Sequence, residues 1–252
     1  FNPVVPVLSL VMNNRDHRKI LVIDGHTGFN GGINISDEYI NATSPFGHWK
    51  DTGVMLRGDA VMNLTEMFLE LWHSFIDTDI KADIVKYSPE VYGSRYISKG
   101  YVQPFYDTPL DREALSENVY IEILSRAEKY VYIYTPYLIL DDIMKNALCL
   151  AAKRGVDVRL VTPGIPDKRI IYRMTRANYM PLLRAGVRIF EYTPGFIHAK
   201  SFVSDDKIGV VGTINLDYRS LFLHFECGTL LYGCDAVTEL KNDCLATFGQ
   251  CR

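Results

Sequence analysis

The sequence is most informative at first for what it does not contain. Basic residues are not in excess: 27 Lys and Arg stand against 30 Asp and Glu, a formal net charge of −3. That balance argues against a dedicated nucleic-acid binder, whose affinity rests on neutralising phosphates, although it is compatible with a local basic cleft. Cysteine is sparse and unpatterned. Cys149, Cys227, Cys234, Cys244 and Cys251 form no C-x-x-C pair and no zinc-ligand spacing, which points to reduced, structural thiols. No apolar run approaches the roughly 20 residues of a membrane helix, and the most apolar stretches, VVPVLSLVM and YVYIYTPYLIL, each hold a proline. The chain begins at Phe1 with no charged leader before an apolar core, so it reads as a piece of a longer product. What remains is an ordinary globular composition, 48% apolar and 23% charged over 252 residues, enough for one large domain or two small ones.

An internal repeat organises the chain. His17-x-Lys19, Asp24, Gly31 and Asn34 recur as His198-x-Lys200, Asp205, Gly212 and Asn215, every position offset by 181 residues. Five residues of these types in register twice indicate a duplicated unit. In both copies two short apolar runs follow one another, KILVIDG with TGFNGGIN and AKSFVSDD with KIGVVGTIN. Each pair is predicted to be two strands with a tight turn, at Gly25-His26 and at Asp205-Asp206.

Beyond the first copy, KDTGVMLRG reads as a strand, and Asp59 is expected to cap a helix running to about Ile76. Its apolar positions Val61, Leu64, Phe68, Leu71, Trp72 and Phe75 fall at helical spacing and are expected in the core. Residues 77–111 have weak periodicity and several Gly and Pro breakers, so the connection between the two units is placed there. Helices over 116–126, 141–154 and 167–184 then alternate with the strands YVYIYT, VDVRLVT and VRIFEY, which predicts an α/β layered sheet. About 80 residues of βαβα pattern precede His198, but only 16 residues precede His17. The first unit is therefore expected to lack its opening segment, FNPVVPV standing where FEYTPGF leads into the second motif, and to leave a sheet edge open.

Residues at i and i+2 of a strand share a face, so each His-x-Lys sends both side chains to one side. If the units pack about a pseudo-twofold, two imidazoles and two ammonium groups surround one point. That set suits a phosphodiester: the lysines offset its charge, one histidine attacks phosphorus and the other protonates the leaving oxygen. Asn34, Asn215 and the Thr213 hydroxyl are expected to hydrogen-bond phosphoryl oxygens, with Gly31, Gly32 and Gly212 letting the backbone approach. Histidines in this role need a partner on Nδ1, and Asp51 and Glu226 are the candidates, Asp51 for His17 and Glu226 for His198. Asp24 and Asp205 belong to the motif, but lie too far along the strand to reach the same point and are expected to anchor the turn. A lysine beside each histidine disfavours a bound cation, so no metal and no other cofactor are expected. His26, His48, His73 and His224 lack a repeat partner and are expected in surface or satisfied core positions.

The twice-repeated H-x-K-x4-D-x6-G-x2-N pattern resembles the phospholipase D superfamily. NRDHRKILVIDG, GFNGGINISDEY, HWKDTGVMLRGDAV, YTPYLILDD (with Tyr134, Pro136 and Tyr137), GVRIFEYTPGFIHAKSFVSDD and NLDYRSLFLHFE together look like the bacterial cardiolipin synthase branch. The resemblance implies two phospholipase D-like repeats, 1–100 and 101–252, each a mixed, mostly parallel sheet flanked by helices. It implies transfer of a phosphatidyl group between two phosphatidylglycerol molecules, without metal, through a phosphohistidine, with His17 as nucleophile and His198 as acid and then base. The implied partners are phosphatidylglycerol and a membrane surface, with no nucleic acid, and the implied location is the bacterial cell membrane with the catalytic part on its cytoplasmic side. Thr213 stands where serine is more usual and His224 where asparagine is common. A hydrolase or nuclease of the same superfamily would use identical residues, and a non-catalytic phosphate- or lipid-binding module is the alternative outside enzymes.

Overall fold

The computed structural model describes residues 14–76, 80–88, 99–111 and 113–252. The first elements are β1 (Ile20–Ile23), β2 (Thr27–Gly31), a 3-10 turn at Asp37–Ile40, β3 (His48–Lys50), β4 (Gly53–Arg57), α1 (Val61–His73) and α2 (Ile80–Lys86). Next come β5 (Tyr101–Asp107), α3 (Leu115–Arg126), β6 (Tyr130–Tyr134), β7 (Leu138–Ile139), α4 (Asp142–Lys153), β8 (Asp157–Pro163), α5 (Arg169–Ala177), α6 (Tyr179–Ala185) and β9 (Arg188–Tyr192). The last are β10 (Gly195–Ile197), β11 (Ser201–Ser204), β12 (Ile208–Gly212), β13 (Leu216–Asp217), α7 (Tyr218–Phe222), β14 (Glu226–Tyr232) and α8 (Asp235–Phe248).

A mixed α/β fold results, centred on a seven-stranded sheet of order β5-β14-β12-β11-β6-β8-β9. This sheet is mostly antiparallel, against the expectation of mostly parallel strands. Only β6-β8 and β8-β9 run parallel, and the pairs from β5 to β6 are antiparallel. The division follows the connections: helical crossovers α4 and α5–α6 return the chain for parallel pairing, whereas the short β11–β12 turn can only make an antiparallel pair. β6 is buried along its whole length, because α3 and α4 cover one face and α8 the other. On the first face Phe202 stacks on Tyr120 with ring centroids 4.0 Å apart.

The hairpins sit in matching register. Ile20 faces Asn30 in β1–β2, and Ser201 faces Val211 in β11–β12, the same 181-residue offset as the motifs. In each turn two consecutive residues take left-handed backbone: Asp24 and Gly25 (φ 52° and 70°), then Asp205 and Asp206 (φ 54° and 60°). The first turn thus lies one residue earlier than expected, in step with the second. Aspartate tolerates this conformation better than most residues, which accounts for its place in both motifs. Asp205 also accepts hydrogen bonds from the backbone N–H groups of Glu128, Lys129 and Tyr130 (2.7–2.9 Å), fastening the start of β6 beside β11. Asp205→Ala is expected to lower stability by about 1–2 kcal/mol in chemical denaturation and to leave turnover within twofold or so.

Three local expectations change. Helix α1 begins after Ala60 with no side-chain cap, so Asp59 is not its N-cap; Gly58 and Asp59 instead offer backbone carbonyls to Val61 and Met62. Of the residues expected in its core face, Val61 and Leu64 are buried together with Met67 and Leu69, but Phe68, Trp72 and Phe75 are exposed. The sheet beneath α1 is narrow, only β1-β2-β4, and cannot cover the 68/72/75 side. The expected helix over 167–184 is two helices broken at Asn178, because Pro181 has no N–H for the Ala177 carbonyl and its ring would crowd that turn. The expected connection contains a regular strand: β5 lies at the sheet edge, where Pro104 is tolerated. FNPVVPV and the breakers at Pro89 and Tyr92-Gly93 lie outside the described residues.

Two features join the small sheet to the large one. β3 pairs in parallel with β10, and Asp16 bridges Phe225 at the start of β14. Gly195 makes the first contact possible, since a Cβ there would stand 2.4 Å from the backbone of His48. Among the described residues no helix is long and apolar enough to cross a membrane.

Candidate active site

Both His-x-Lys segments end up at these two joints. The His17 N–H donates to the Phe225 carbonyl (2.9 Å), so the next residue, Glu226, is delivered to the His17 ring: Nδ1 lies 2.9 Å from both carboxylate oxygens. At the other joint the His198 N–H donates to the Lys50 carbonyl (2.7 Å), and the following Asp51 places Oδ2 2.7 Å from His198 Nδ1. The pairing is crossed, which corrects the expected one: Asp51 serves His198, and Glu226 serves His17. The reason is topological. Asp51 follows β3, whose parallel partner β10 runs directly into His198, and Phe225 lies against the segment that opens the first motif. Because a carboxylate can only accept, Nδ1 carries a proton in both rings, and in a neutral ring Nε2 keeps its lone pair.

The lysines turn inward. Lys19 donates to the His17 carbonyl (2.7 Å) and Lys200 to the His198 carbonyl, with Lys200 Nζ also 2.8 Å from His198 Nδ1. Burial, opposed by Glu226 and Asp51, lowers the Lys19 ammonium below its ordinary value. Lys200 is buried and is pushed down more strongly, to about 7, by desolvation and by the charge of Lys19. The same effects act on His198: burial first, then Lys200, and Lys19 from the other motif, outweigh Asp51 and hold the ring neutral, its pKa pushed down to about 3. Glu226 is fully buried, yet His17, then the neighbouring His224 and the Ser220 hydroxyl, more than offset desolvation and keep it ionised, at about 2. All four motif residues and both carboxylates therefore share one electrostatic environment.

A neutral buried imidazole takes up its proton less readily than the same group in the unfolded chain. Below about pH 6.5 the unfolded state gains protons first, so stability falls with pH. We expect a loss of about 2 kcal/mol between pH 6.5 and pH 5, seen as a lower denaturant midpoint. Glu226 stays ionised in both states over most of that window and adds little slope. His198→Gln should flatten the dependence; an unchanged slope in that variant would show that His198 is not the group responsible.

The remaining motif residues divide. Asp24 and Asp205 stand at the turns, as expected, away from the paired histidines. Gly32 packs against Asp51, where a Cβ would meet Oδ1 at 2.2 Å, so this glycine makes room for the carboxylate. Its counterpart Thr213 is also committed to a carboxylate: its hydroxyl donates to Glu226, which corrects the expectation that it faces phosphate. Asn215 is buried with its amide on Ser220 Oγ (3.1 Å), while its Oδ1 has no hydrogen-bond partner among the described residues. Asn34 is exposed and reaches Tyr39 Oη (2.5 Å).

Sequence reasoning missed several contributors. Ser220 donates to Glu226 (2.6 Å), held at the start of α7, where Asp217 accepts from the backbone of Arg219 and Ser220. His224, expected on the surface or in a satisfied core position, lies beside His17 with ring centroids 5.5 Å apart and Nδ1 3.5 Å from Glu226 Oε1. Neither of its ring nitrogens makes a hydrogen bond among the described residues. His17, His224 and Glu226 offer donor atoms within 4.8 Å of one another, a set able to hold a metal ion. An aromatic wall also surrounds His198: Tyr39 at 5.2 Å, Trp49 at 5.3 Å and Phe196 at 6.0 Å between centroids. The wall had a signal in the sequence, since Trp49 stands two residues before Asp51 and Phe196 two before His198, on the same strand faces.

Two imidazoles with Nδ1 tied to carboxylates, a buried Lys200 and a half-buried Lys19 form a set able to hold an anion, attack it and protonate it. A family model described as cardiolipin synthase, PLD-like domain, matches residues 120–246. The chain belongs to this phospholipase D-like family. It is 51% identical over its whole length to an uncharacterized protein of Streptococcus mutans, 54% of which it covers. It is 40% identical over 244 residues, 96% of its length, to a cardiolipin synthase of Alkalihalophilus pseudofirmus, covering 48% of that protein. The chain thus spans about half the length of the curated relatives it matches. In fold it is similar to the phosphatidylserine synthase of Haemophilus influenzae, with a TM-score of 0.65 at 15% identity, over 94% of this chain and 62% of that one.

Proposed function

We propose that the chain is the catalytic part of a phosphatidyltransferase that makes cardiolipin and glycerol from two phosphatidylglycerol molecules. The crossed histidine–carboxylate pairs carry this reading, together with the relatives named cardiolipin synthase. The chain is read as two phospholipase D-like repeats, 1–100 and 101–252, related by a pseudo-twofold, the first without its N-terminal part. The matched hairpin registers support that division.

In the first step His17 Nε2 attacks phosphorus and the bond from phosphorus to the glycerol oxygen breaks, while His198 gives that oxygen its proton. In the second, His198 takes the proton from the hydroxyl of another phosphatidylglycerol; the alkoxide attacks phosphorus and the phosphorus–nitrogen bond breaks, restoring His17. Lys19 and Lys200 offset the phosphoryl charge. Burial and then the two lysines hold His198 neutral, and a bound phosphodiester offsets the lysine charges, which favours the charged acid when substrate is present. Asn34, Asn215 and Gly32 complete the phosphate surroundings, and no metal enters either step. The enzyme works at the bacterial cell membrane with this part on the cytoplasmic side and does not act on nucleic acid. The reverse order of the histidines is the second reading, favoured by one observation: the burial that keeps His198 neutral also suits a nucleophile.

Product analysis tests the reading. Full-length protein incubated with phosphatidylglycerol should release cardiolipin and glycerol in equal amounts by mass analysis. Free phosphatidic acid alone would make it a hydrolase, and cleavage of single-stranded DNA with no lipid product would make it a nuclease.

A further inference from the structure

Exposed aliphatic side chains gather on two segments that are both tied to the histidine site. On the first segment Ile33, Ile35 and Ile40 project around the 3-10 turn, Ile35 fully exposed and Ile40 75% exposed. This segment is fixed to the site: Tyr39 packs edge-on against His198, and the Asn41 amide holds the backbone of Trp49. On the second segment are Ile165, in the loop after β8, and Ile170 and Met174, one turn apart on α5, with Ile170 74% exposed. This segment is tied to the same aromatic wall. The backbone N–H of Ile165 donates to Gly195 two residues before Ile197, Phe196 packs against Tyr137, and the Tyr137 hydroxyl donates to Asp167 (2.6 Å).

Basic side chains accompany the aliphatic ones on α5. Residues 168–176 hold four basic and no acidic side chains in a chain whose net charge is −3. Lys168 and Arg176 are paired with Asp167 and Glu191. Arg169 and Arg173 are exposed and have no acidic partner among the described residues. A helix with exposed aliphatic and unpaired basic side chains, tied to a second aliphatic segment through one aromatic wall, fits an apolar surface coated with anions.

We propose that this face, from the 33–40 segment past the aromatic wall to α5, is the surface by which the chain lies on an anionic phospholipid bilayer. Ile35, Ile40, Ile170 and Met174 enter the headgroup boundary, and Arg169 and Arg173 meet the lipid phosphates. Headgroups then reach the paired histidines without the lipid leaving the interface. The proposal deepens the phosphatidyl-transfer reading by saying how that substrate reaches the site, but its test does not depend on turnover.

Vesicle sedimentation provides that test. The chain should pellet with vesicles of phosphatidylcholine and phosphatidylglycerol, and much less with phosphatidylcholine alone. Ile35→Asp and Ile170→Asp should each weaken binding roughly tenfold, and Arg173→Gln severalfold at low salt. Leu245→Asp, at an exposed apolar position on α8 away from this face, should bind like the wild type. Circular dichroism checks that each variant is folded; should Ile170→Asp not fold, Ile170→Ser carries the same expectation at smaller size. Wild-type binding by both isoleucine variants, or no binding by the wild type, overturns the proposal. So does a dimer in sedimentation equilibrium that Ile170→Asp abolishes with vesicle binding intact, which would make the face a contact between copies. Displacement from Arg173 by single-stranded DNA with no effect of Ile170→Asp would assign it to nucleic acid. Absence of cardiolipin product with vesicle binding intact would sink the transfer reading alone.

Discussion

Replacing His17 by alanine in the full-length protein is expected to lower turnover at least about a thousandfold, because the substitution removes the covalent route and not just one proton transfer. The fold should survive. His17 is partly exposed, and Glu226 keeps the hydroxyls of Thr213 and Ser220 as donors when the imidazole is gone. His198→Ala should be comparably damaging, since both steps need its proton. Circular dichroism and a denaturation midpoint close to wild type would separate lost chemistry from lost structure. Turnover within tenfold of wild type in either variant would place the chemistry elsewhere.

The crossed pairing gives the second large effect. Glu226→Gln should cost about 1,000- to 10,000-fold in turnover, because a glutamine amide can donate to Nδ1 and so favours the tautomer with no lone pair on Nε2. The effect should be visible on one ring only. Nitrogen NMR of the imidazoles should show His17 losing its Nδ1–H form in Glu226→Gln while His198 keeps its own, and the opposite in Asp51→Asn. A change at His17 in Asp51→Asn, with His198 unaffected, would restore pairing within each motif and contradict the structure.

That crossing marks where sequence reasoning stopped. The histidines, lysines and turn aspartates were legible because they recur at a fixed offset, and a recurring pattern singles out residues that the same local geometry uses twice. The two carboxylates were legible as candidates, but a gap of 34 or 28 residues says nothing about which joint brings them to a ring. Only the parallel contact of β3 with β10 and the Asp16–Phe225 bridge decide it. Thr213 was misjudged because a hydroxyl beside a motif can serve a phosphate or a buried carboxylate equally well, and burial chooses the latter. His224 was passed over because it has no repeat partner, although its neighbour Glu226 was already singled out. In the fold, the βα alternation after residue 115 could be read from apolar periodicity. The edge strand β5 could not, since Pro104 interrupts its apolar pattern.

One measurement bears most directly on the reading of two motifs as one covalent site. Full-length protein is mixed with phosphatidylglycerol labelled at phosphorus, quenched in alkali and digested, and the labelled peptide is mapped. The account predicts label on His17, absent in His17→Ala and still formed, though not discharged, in His198→Ala when a substrate with a good leaving group removes the need for an acid. Label confined to His198, or cardiolipin formed by an enzyme that never carries label, would contradict it.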